Sequence, residues 1–437
     1  MGLSAANRPV EDKTGLAARR AALAILSAVL DGGRPFDEIL MQDHAAGLES
    51  RDRAFVTALV QACLRRKGES EAAIARFLTK KLPRKSGSAS LILLLGAAQL
   101  LYLETPAHAA IDLSVTLARD DRDARHFANL VNAVLRKLTD VEPIDRPRLN
   151  VPDWLWRRWA TAHGEGTAEA IARAHLDEPA LDLSVKSAPA DWAKALNGVV
   201  LPTGTVRLAR RSGAVETLPG FDGGAWWVQD AAAALPVRLL GDVAGKTVLD
   251  LCAAPGGKTA QLASRGAVVT AVDRSAPRMA RVRQNLDRLK LTAELHIADV
   301  MAFPADHRFD AVLLDAPCSA TGTIRRHPEL PFIKTEPQLA ELAELQRRLL
   351  AHAATFVAPG GSLVFCTCSL EPEEGEAQVE NFLEHHPDYR RVPLTADDVA
   401  GQGGFITPRG DLRTLPSMNI GSVQGLDGFY AARLVRL

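Results

Sequence analysis

Apolar residues recur every three or four positions over residues 15–140, which is the spacing of helices that bury one face. The first of these runs, GLAARRAALAILSAVLDGG, stops at Gly32 and Gly33, and glycine is favoured directly after the end of a helix. Further Ala- and Leu-rich runs follow, and turn-forming residues separate them. We therefore predict a compact all-α domain over residues 1–140.

The pattern is mixed over residues 141–235. Three prolines in VEPIDRPRLNVPDW indicate a linker at residues 141–154, because proline cannot continue a helix. A short helix is expected near residues 166–176, and strands are expected at LDLSVK, TVRLA and AWWVQD. These elements predict a small α+β connecting module over residues 141–235.

Short apolar runs alternate with helical stretches from Lys246 onward. Strands that alternate with helices build a mostly parallel sheet that is covered on both faces. The sequence therefore predicts a Rossmann-like α/β domain over residues 236–437, and a multidomain chain as a whole. The expected strands are TVLDLCAAPGG, AVVTAVDRS, AELHIADV, FDAVLLDAP and GSLVFCTCS.

The first three of these strands indicate an adenosine site. Gly256 and Gly257 follow the first strand and permit close approach of a ligand to the backbone, next to the start of a helix. Asp273 ends the second strand, 23 residues after Asp250, where a carboxylate can accept both hydroxyls of a ribose. Asp299 follows the third strand and could contact an adenine amino group. Ordinary turn and capping acids would give the same pattern.

An adenosine site leaves a nicotinamide cofactor and S-adenosylmethionine as alternatives. The turn after the first strand is neither GxGxxG nor a phosphate-binding loop, which weakens the case for an NAD-dependent oxidoreductase. A sulfonium cofactor needs less cradling of a pyrophosphate and tolerates nearby carboxylates. The sequence therefore favours S-adenosylmethionine.

Bulk properties narrow the class of protein further. The N-terminus has no charged-then-apolar signal pattern, and the most apolar segment, residues 91–103, is too short to cross a membrane. The five cysteines follow neither a disulfide framework nor the spacing of a zinc site. We therefore expect a cytoplasmic protein with free thiols, no membrane association and no metal.

Charge is distributed unevenly, although the formal net charge is zero. Basic side chains concentrate over residues 65–85, which include Arg84, and form either a phosphate-binding face or an ordinary solvated helix surface. Residues 371–384 are acidic.

The fourth and fifth strands end in residues that carry chemistry. Asp315 and Cys318 lie at and just past the end of FDAVLLDAP, where open α/β sheets place their active sites. LVFCTCSL places Cys368 in the same way. Because side chains alternate along a strand, Cys366 lies on the same side as Cys368 but deeper, and we expect it to pack as a small apolar side chain.

Two thiols beside one cofactor indicate a covalent mechanism, as methylation of a pyrimidine at C5 demands. The ring of cytosine is electron-poor, and a thiolate that adds to C6 makes C5 nucleophilic. A second group must then remove the C5 proton so that the thiol can leave, and Asp315 is placed to polarise the ring through N3 and N4. Core packing is the alternative interpretation of a single cysteine. It explains the sequence less well when two cysteines lie beside an acid at neighbouring strand ends.

Four motifs match the NOL1/NOP2/Sun family of m5C RNA methyltransferases in order: LDLCAAPGGKT at 249–259, LLDAPCSATG at 313–322, TCSL at 367–370 and DGFYAA at 427–432. The resemblance implies that Cys368 is the nucleophile, that Cys318 assists release of the product and that Lys258 lies near the active site. It also implies S-adenosylmethionine as cofactor, held by Cys252, Ala253, Ala254, Pro255, Gly256, Gly257, Lys258, Asp273, Asp299 and Asp315.

LLLGAAQLLYLETPAHAAIDLSVTLA and FANLVNAVLRKL resemble the NusB-type helical RNA-binding domain. This domain ahead of a Sun-type catalytic domain is similar to bacterial small-subunit rRNA methyltransferases, and it implies 16S rRNA as partner of a monomeric enzyme. A tRNA m5C methyltransferase would share every catalytic residue, whereas a non-catalytic RNA-binding protein would lack Cys368 or the adenosine site. One departure is the loop at residues 329–335, ELPFIKT, where the family usually has Asp and then Trp.

Overall fold

The structure, a computed structural model, forms two compact units. The first comprises the chain up to Trp156 together with His327–Ile333, and the second comprises Arg157–Arg326 and Lys334–Leu437. The structure describes residues 15–40, 47–83, 85–208, 214–304 and 307–437. The first 14 residues, Arg84 of the basic segment and Ala209 at the end of TVRLA lie outside the described residues.

Among the described residues, the regular elements up to Ala174 are helices, and the first strand begins at Leu181. The α-helices are α1 Leu16–Leu30, α2 Phe36–Leu40, α3 Ser50–Arg65, α4 Lys67–Ala75, α5 Ala89–Leu101, α6 Ala107–Asp120, α7 Ala128–Leu138, α8 Asp153–His163, α9 Glu165–Ala174, α10 Pro189–Ala195, α11 Leu235–Arg238, α12 Gly257–Ser264, α13 Ala276–Leu289, α14 Leu330–Ile333, α15 Glu336–Ala354 and α16 Glu376–His385. The strands are β1 Leu181–Val185, β2 Val199–Val200, β3 Val206–Leu208, β4 Trp226–Val228, β5 Thr247–Leu251, β6 Val268–Asp273, β7 Glu294–Ile297, β8 Phe309–Asp315, β9 Val357–Thr367, β10 Tyr389–Arg391, β11 Leu412–Thr414, β12 Asn419–Ile420, β13 Val423–Gln424 and β14 Phe429–Arg436.

Helices α1 to α7 pack around two groups of buried aliphatic side chains, so the predicted all-α N-terminal domain is confirmed. Helix α5 supplies both groups: Ile92 and Leu93 belong to one, and Leu94 and Leu95 belong to the other. A helix that is apolar on all sides is buried on several sides. The most apolar segment of the sequence is therefore the central core helix of this unit.

The proline-rich segment at residues 141–154, which we expected to be a linker, is instead anchored to the first unit. The backbone N–H of Glu69 donates to the Asn150 side chain at 3.1 Å, and the Glu69 carboxylate accepts from the Arg146 N–H at 2.8 Å. Both Glu69 and Asn150 are buried. The prediction was wrong because prolines exclude a long helix without excluding packing.

A four-stranded antiparallel sheet of order β2-β3-β1-β4 lies in the second unit. Strands β1, β3 and β4 and helix α9 fall where they were predicted, whereas α8, α10 and β2 were not predicted. The sheet has its own apolar core, in which Leu183, Val206 and Trp226 are fully buried.

The large sheet of the second unit has the order β10-β14-β9-β8-β5-β6-β7, and β11 pairs with β14. Strands β5 to β9 are parallel, whereas β10, β11 and β14 are antiparallel to their neighbours. The chain runs outward from β5 through β6 and β7, and returns to β8 on the other side of β5. Open α/β sheets bind ligands at the carboxyl ends of the strands at such a point. The predicted Rossmann-like fold is confirmed.

Within the described ranges, no helix is long and apolar enough to cross a membrane. The same residues include no group of three or more His, Cys, Asp or Glu side chains arranged to hold a metal ion. The five cysteines are all described, and none forms a disulfide.

Candidate active site

The carboxyl ends of three neighbouring strands, β5, β8 and β9, lie at one edge of the large sheet, where the order of the strands reverses. Strand β5 lies between β6 and β8, and β9 lies on the far side of β8. Leu251 is paired in register with Leu314, and Asp315 is paired with Cys366. The loops that follow β5, β8 and β9 therefore leave the sheet at one edge. The four residues that we predicted to be catalytic lie at this edge: Asp315 at the end of β8, Lys258 in the first turn of α12, and Cys318 and Cys368 in the loops after β8 and β9.

The turn after β5 has a conformation that suits close contact with a ligand. Cys252 has a φ of +59°, and Gly256, with a φ of +98°, immediately precedes α12. A Cβ atom at Gly256 would lie 3.0 Å from a methyl group of Val282, and side chains rarely adopt this φ, so glycine is required there. The first turn of α12 also has N–H groups without helical partners, which favour a polar or anionic ligand.

The remaining predicted residues of this turn are enclosed by the fold. Ala253 and Ala254 are buried, the peptide bond before Pro255 is cis, and Gly257 is the first residue of α12. Burial raises the pKa of the Cys252 thiol to about 12, and the neighbouring carboxylates add to this effect. Cys252 is therefore a neutral thiol at neutral pH, suited to contact with a cofactor and not to nucleophilic attack.

Two acids follow the next two strands. Asp273 is buried at the end of β6, where its carboxylate accepts from the N–H of Ala254 at 3.2 Å and from the N–H of Ser275 at 2.9 Å. Asp299 is exposed after β7 and accepts from the N–H of Met301 at 2.9 Å. Both acids thus have local structural partners, and both retain lone pairs for the hydroxyl or amino groups of an adenosine.

Asp250, inside β5, was not predicted to be a site residue. It is fully buried, and its carboxyl group accepts from the Thr259 hydroxyl at 2.6 Å. Burial, reinforced by the charge of Asp315, raises the pKa of Asp250 to about 7 although the Thr259 hydrogen bond acts to lower it. The signal in the sequence was a single acid within an apolar strand, TVLDL.

An Asp250→Asn variant will change how stability depends on pH. The folded-state pKa of about 7 lies above the ordinary value of 3.8, so between these values the folded protein binds a proton that the unfolded chain has released. Wild-type stability therefore falls as pH rises through this window, whereas asparagine does not titrate and still accepts from Thr259. Melting temperatures measured from pH 5 to pH 8 should shift in favour of the variant as pH rises. A difference that is constant with pH would contradict the raised pKa.

Lys258 and Asp315 form an ion pair across the edge of the sheet. The Lys258 ammonium lies 2.7 Å from Asp315 Oδ2 and 5.0 Å from the centre of the Phe429 ring. Burial alone would lower the pKa of Lys258, but the Asp315 carboxylate outweighs it, so the pKa is raised and the lysine stays charged. The terminal motif DGFYAA therefore contributes an aromatic face to this site.

Cys318 and Cys368 lie side by side, with their sulfur atoms 3.5 Å apart. The hydrogen bond to Cys368, followed by burial, raises the pKa of the Cys318 thiol well above its usual range. The raised pKa favours the protonated form of Cys318. Cys366 is fully buried, 3.4 Å from Asp315, and burial raises the pKa of its thiol as well.

A network of charges lies next to these cysteines and was not predicted from the sequence; Arg325, Asp230 and Asp427 are buried in it, whereas Arg326 is exposed. Arg326 donates to Asp427 at 2.8 Å, and Arg325 lies 2.9 Å from Asp230. Desolvation acts to lower the pKa of Arg326, but Asp427 and, more weakly, a thiolate at Cys368 raise it. Two cations, Lys258 and Arg326, thus lie within electrostatic reach of Cys368.

The acidic segment that begins at residue 371 is partly buried, which its composition did not indicate. Glu371 accepts from Arg158 at 2.6 Å and from the indole N–H of Trp159 at 3.1 Å. Glu374 is fully buried and contacts the residues that follow Cys318 and Cys368. A short sequence of acids reveals neither these partners nor their burial.

The fold and the site together define a class of protein. A glycine turn, the free N–H groups of α12 and a buried carboxylate at the end of β6 fit the amino-acid and ribose parts of S-adenosylmethionine, and the glycine fingerprint of nicotinamide sites is absent. The second unit is therefore an S-adenosylmethionine-dependent methyltransferase. More narrowly, the chain belongs to the RsmB/F family of 16S rRNA methyltransferases. Residues 237–435 match the model of this family, and residues 16–140 match the NusB family.

A relative matched along nearly the whole chain gives the same family, and solved structures share the fold. The chain is 35% identical over 439 residues to ribosomal RNA small subunit methyltransferase B of Vibrio cholerae, covering 95% of this chain and 96% of that protein. The solved structure of PH0851 has the same fold, with a TM-score of 0.75, 24% identity and coverage of 95% of this chain and 98% of that one. A methyltransferase homolog from Pyrococcus horikoshii is 27% identical with a TM-score of 0.56, covering 66% of this chain and 97% of that one.

Proposed function

We propose that this protein methylates C5 of a cytosine in 16S rRNA, with Cys368 as the nucleophile and Cys318 as the group that assists release of the product. The observation that carries the proposal is the pair of thiols 3.5 Å apart beside the ion pair of Lys258 and Asp315. A methyltransferase that acts on an oxygen or an amino nitrogen needs no thiol nucleophile. A covalent pyrimidine mechanism requires a nucleophile and a base beside the ring, and two thiols at the ends of neighbouring strands can supply both.

S-adenosylmethionine supplies an electrophilic methyl group when it is bound. The residues proposed to hold it are the turn from Cys252 to Lys258, with Asp273 for the ribose and Asp299 for the adenine. Asp315 contacts Lys258, at the end of this turn, and Cys366, two residues before the proposed nucleophile. It is therefore placed to touch cofactor and target base.

Cys368 starts the reaction when its thiolate forms a bond to C6 of the cytosine and the electron pair moves onto the ring. Asp315, fixed by Lys258, accepts from the exocyclic amino group and orients the ring. C5 then takes the methyl group. Removal of the C5 proton returns an electron pair to the ring, the bond between C6 and sulfur breaks, and Cys368 leaves as a thiolate.

The substrate is proposed to be 16S rRNA because a NusB-type domain precedes the methyltransferase unit, and because relatives of the full length are named for small-subunit rRNA. The target base must leave its stack to reach the edge of the sheet, which favours an unpaired or loop cytosine. We also propose that the enzyme acts in the cytoplasm, as a monomer. A tRNA target would use the same residues and is the alternative outcome of the experiment.

Bisulfite sequencing of total RNA from a strain that lacks the gene will test the target. We expect one cytosine of 16S rRNA to become fully convertible, and the wild-type gene to restore its protection. The gene with Cys368→Ala is the matched control and should not restore it. Loss of protection at a tRNA cytosine, with 16S rRNA unchanged, would overturn the choice of RNA but not the chemistry.

A further inference from the structure

We propose that Glu374 is the positioning residue that holds the two cysteine loops together, so that Cys318 and Cys368 can act on one base. This inference rests on the proposed function. Glu374 lies in the 3₁₀ helix Pro372–Glu374 and is fully buried. Its side chain is neither near the cofactor turn nor part of a cysteine loop, so its effect would act through its neighbours.

One carboxylate oxygen of Glu374 joins the two loops directly. Ser319 follows Cys318 in the chain, and Ser369 follows Cys368. Both hydroxyls donate to Glu374 Oε2, that of Ser369 at 2.5 Å. The same oxygen atom therefore fixes the residue directly after each thiol.

The other carboxylate oxygen fixes the backbone of the first loop. Glu374 Oε1 accepts from the N–H of Ser319 at 2.8 Å and from the side-chain amide of Gln346 at 3.0 Å. The same amide nitrogen of Gln346 donates to the carbonyl of Pro317 at 2.8 Å, so both sides of Cys318 are held. The hydroxyl of Thr367 donates to the Glu374 carbonyl at 2.9 Å, which holds the residue before Cys368.

This arrangement requires a group that accepts on both oxygens. All four donors to the side chain are uncharged, and an ionised carboxylate donates nothing itself. Glutamine at residue 374 would keep the volume but would turn an NH₂ group toward either the two serines or the backbone N–H and the amide of Gln346. Toward the two N–H groups it would leave buried donors unpaired. Toward the serines it would force both hydroxyls to accept instead of donate, and weaker neutral hydrogen bonds would replace the charge-assisted ones that link the two loops.

The charge of Glu374 has a second effect on the thiols. After the hydrogen bond to Cys368 and burial, the negative charge of Glu374 also contributes to the raised pKa of Cys318. It therefore helps to keep the proton on Cys318 while the enzyme is at rest, which leaves Cys368 as the sulfur that attacks.

The loops have other links that should preserve the fold in a variant. The N–H of Gly322 donates to the carbonyl of Cys368 at 3.0 Å, and the N–H of Leu370 donates to the Thr321 hydroxyl at 3.0 Å. Neither bond involves Glu374. Loss of the carboxylate should therefore shift the sulfur atoms relative to each other without separating the two strands.

Glu374→Gln should lower kcat by about 10²-fold while KM for S-adenosylmethionine and for RNA stays within about twofold, because only the placement of reacting groups changes. Glu371→Gln is the matched control: the same segment and the same substitution, at a carboxylate that is bonded to Arg158 and Trp159 and not to the serine side chains. It should lose stability but keep kcat. Equal losses of kcat in both variants would show that Glu374 has only a structural role.

Ser319→Ala with Ser369→Ala tests the same link from the other side and is the deciding variant if Glu374→Gln does not fold. The double serine variant should lower kcat to a similar extent, and combining it with Glu374→Gln should add little, because all three groups form one unit. A normal kcat in the double serine variant would overturn the inference. If the double serine variant has a normal kcat while Cys368→Ala is inactive in the same assay, the proposed function still holds. An active Cys368→Ala would instead reject the thiol mechanism itself.

Discussion

Cys368→Ala will abolish methyl transfer, lowering kcat on the order of 10⁴-fold or more, because it removes the thiol that we propose activates C5 of the cytosine. The turn that we propose holds the cofactor follows a different strand, β5, so binding of S-adenosylmethionine should be unchanged. The measurement is transfer of a tritiated methyl group to rRNA transcribed in vitro, with cofactor affinity determined by calorimetry. On RNA that contains 5-fluorocytosine the wild type should form a covalent adduct, and this variant should form none.

Cys366→Ala is the matched control for this result. It also removes one thiol, two residues earlier and inside β9, where the side chain is fully buried beside Val364. This variant should unfold at a lower temperature because it leaves a small cavity, but it should still form the adduct. If Cys368→Ala forms the adduct, or if only Cys366→Ala fails to form it, then Cys368 is not the nucleophile.

The distinction between these two cysteines could be predicted from the sequence because it depends on local geometry. Alternation along a strand places Cys366 on the same face as Cys368 but deeper, and in the structure Cys366 is fully buried whereas Cys368 is only half-buried. The ends of strands could be located for the same reason, since each apolar run stops at a polar residue. The positions of Asp273 and Asp315 at strand ends follow from these runs.

Contacts between distant segments could not be predicted in this way. Lys258 and Asp315 are 57 residues apart, and their ion pair depends on the register of β5 and β8, which no local pattern specifies. The resemblance to a family implied that Lys258 lies near the active site, but not what it contacts. Phe429 and Asp427 were recognised as parts of a motif, but their contacts with Lys258 and Arg326 require the folded sheet.

Burial of acids was the least predictable property. Glu371 and Glu374 lie in a segment whose composition is typical of a solvated surface, and both are buried because partners from α8, α15 and the cysteine loops reach them. Helix α8 itself was not predicted, because it directly follows the prolines that indicated a linker. Burial of a charged side chain is set by the tertiary fold, so the sequence suggests it only when a family motif includes the residue.

Cys318→Ala will have the opposite signature to Cys368→Ala, because it will accumulate the intermediate. Addition to C6 and methyl transfer need Cys368, which this variant retains. Removal of the C5 proton needs a base beside C5, and the sulfur 3.5 Å from Cys368 is the group in place. Incubation with unmodified rRNA and S-adenosylmethionine should therefore yield an RNA–protein adduct that survives a denaturing gel, together with a large loss of turnover.

The raised pKa of Cys318 is consistent with this role because its main cause disappears during the reaction. At rest the hydrogen bond to Cys368 is the largest contribution that keeps the proton on Cys318. Once Cys368 is bonded to C6 its sulfur no longer carries a negative charge, so Cys318 can lose its proton to solvent. The resulting thiolate takes the C5 proton, and Cys368 leaves as a thiolate, which restores the resting pair.

The rate of product release in this cycle depends on pH, and this dependence distinguishes Cys318 from another base as the group that removes the C5 proton. The thiolate form of Cys318 increases as pH rises, so release from the wild-type adduct should become faster with pH, and the residual release from Cys318→Ala should lose that dependence. The rates can be measured by trapping the adduct in a rapid quench at each pH. Cys318→Ala combined with Cys368→Ala should give no adduct at any pH. If Cys318→Ala instead turns over normally without an adduct, the second thiol has no part in release, and the base must be sought elsewhere at the edge of the sheet.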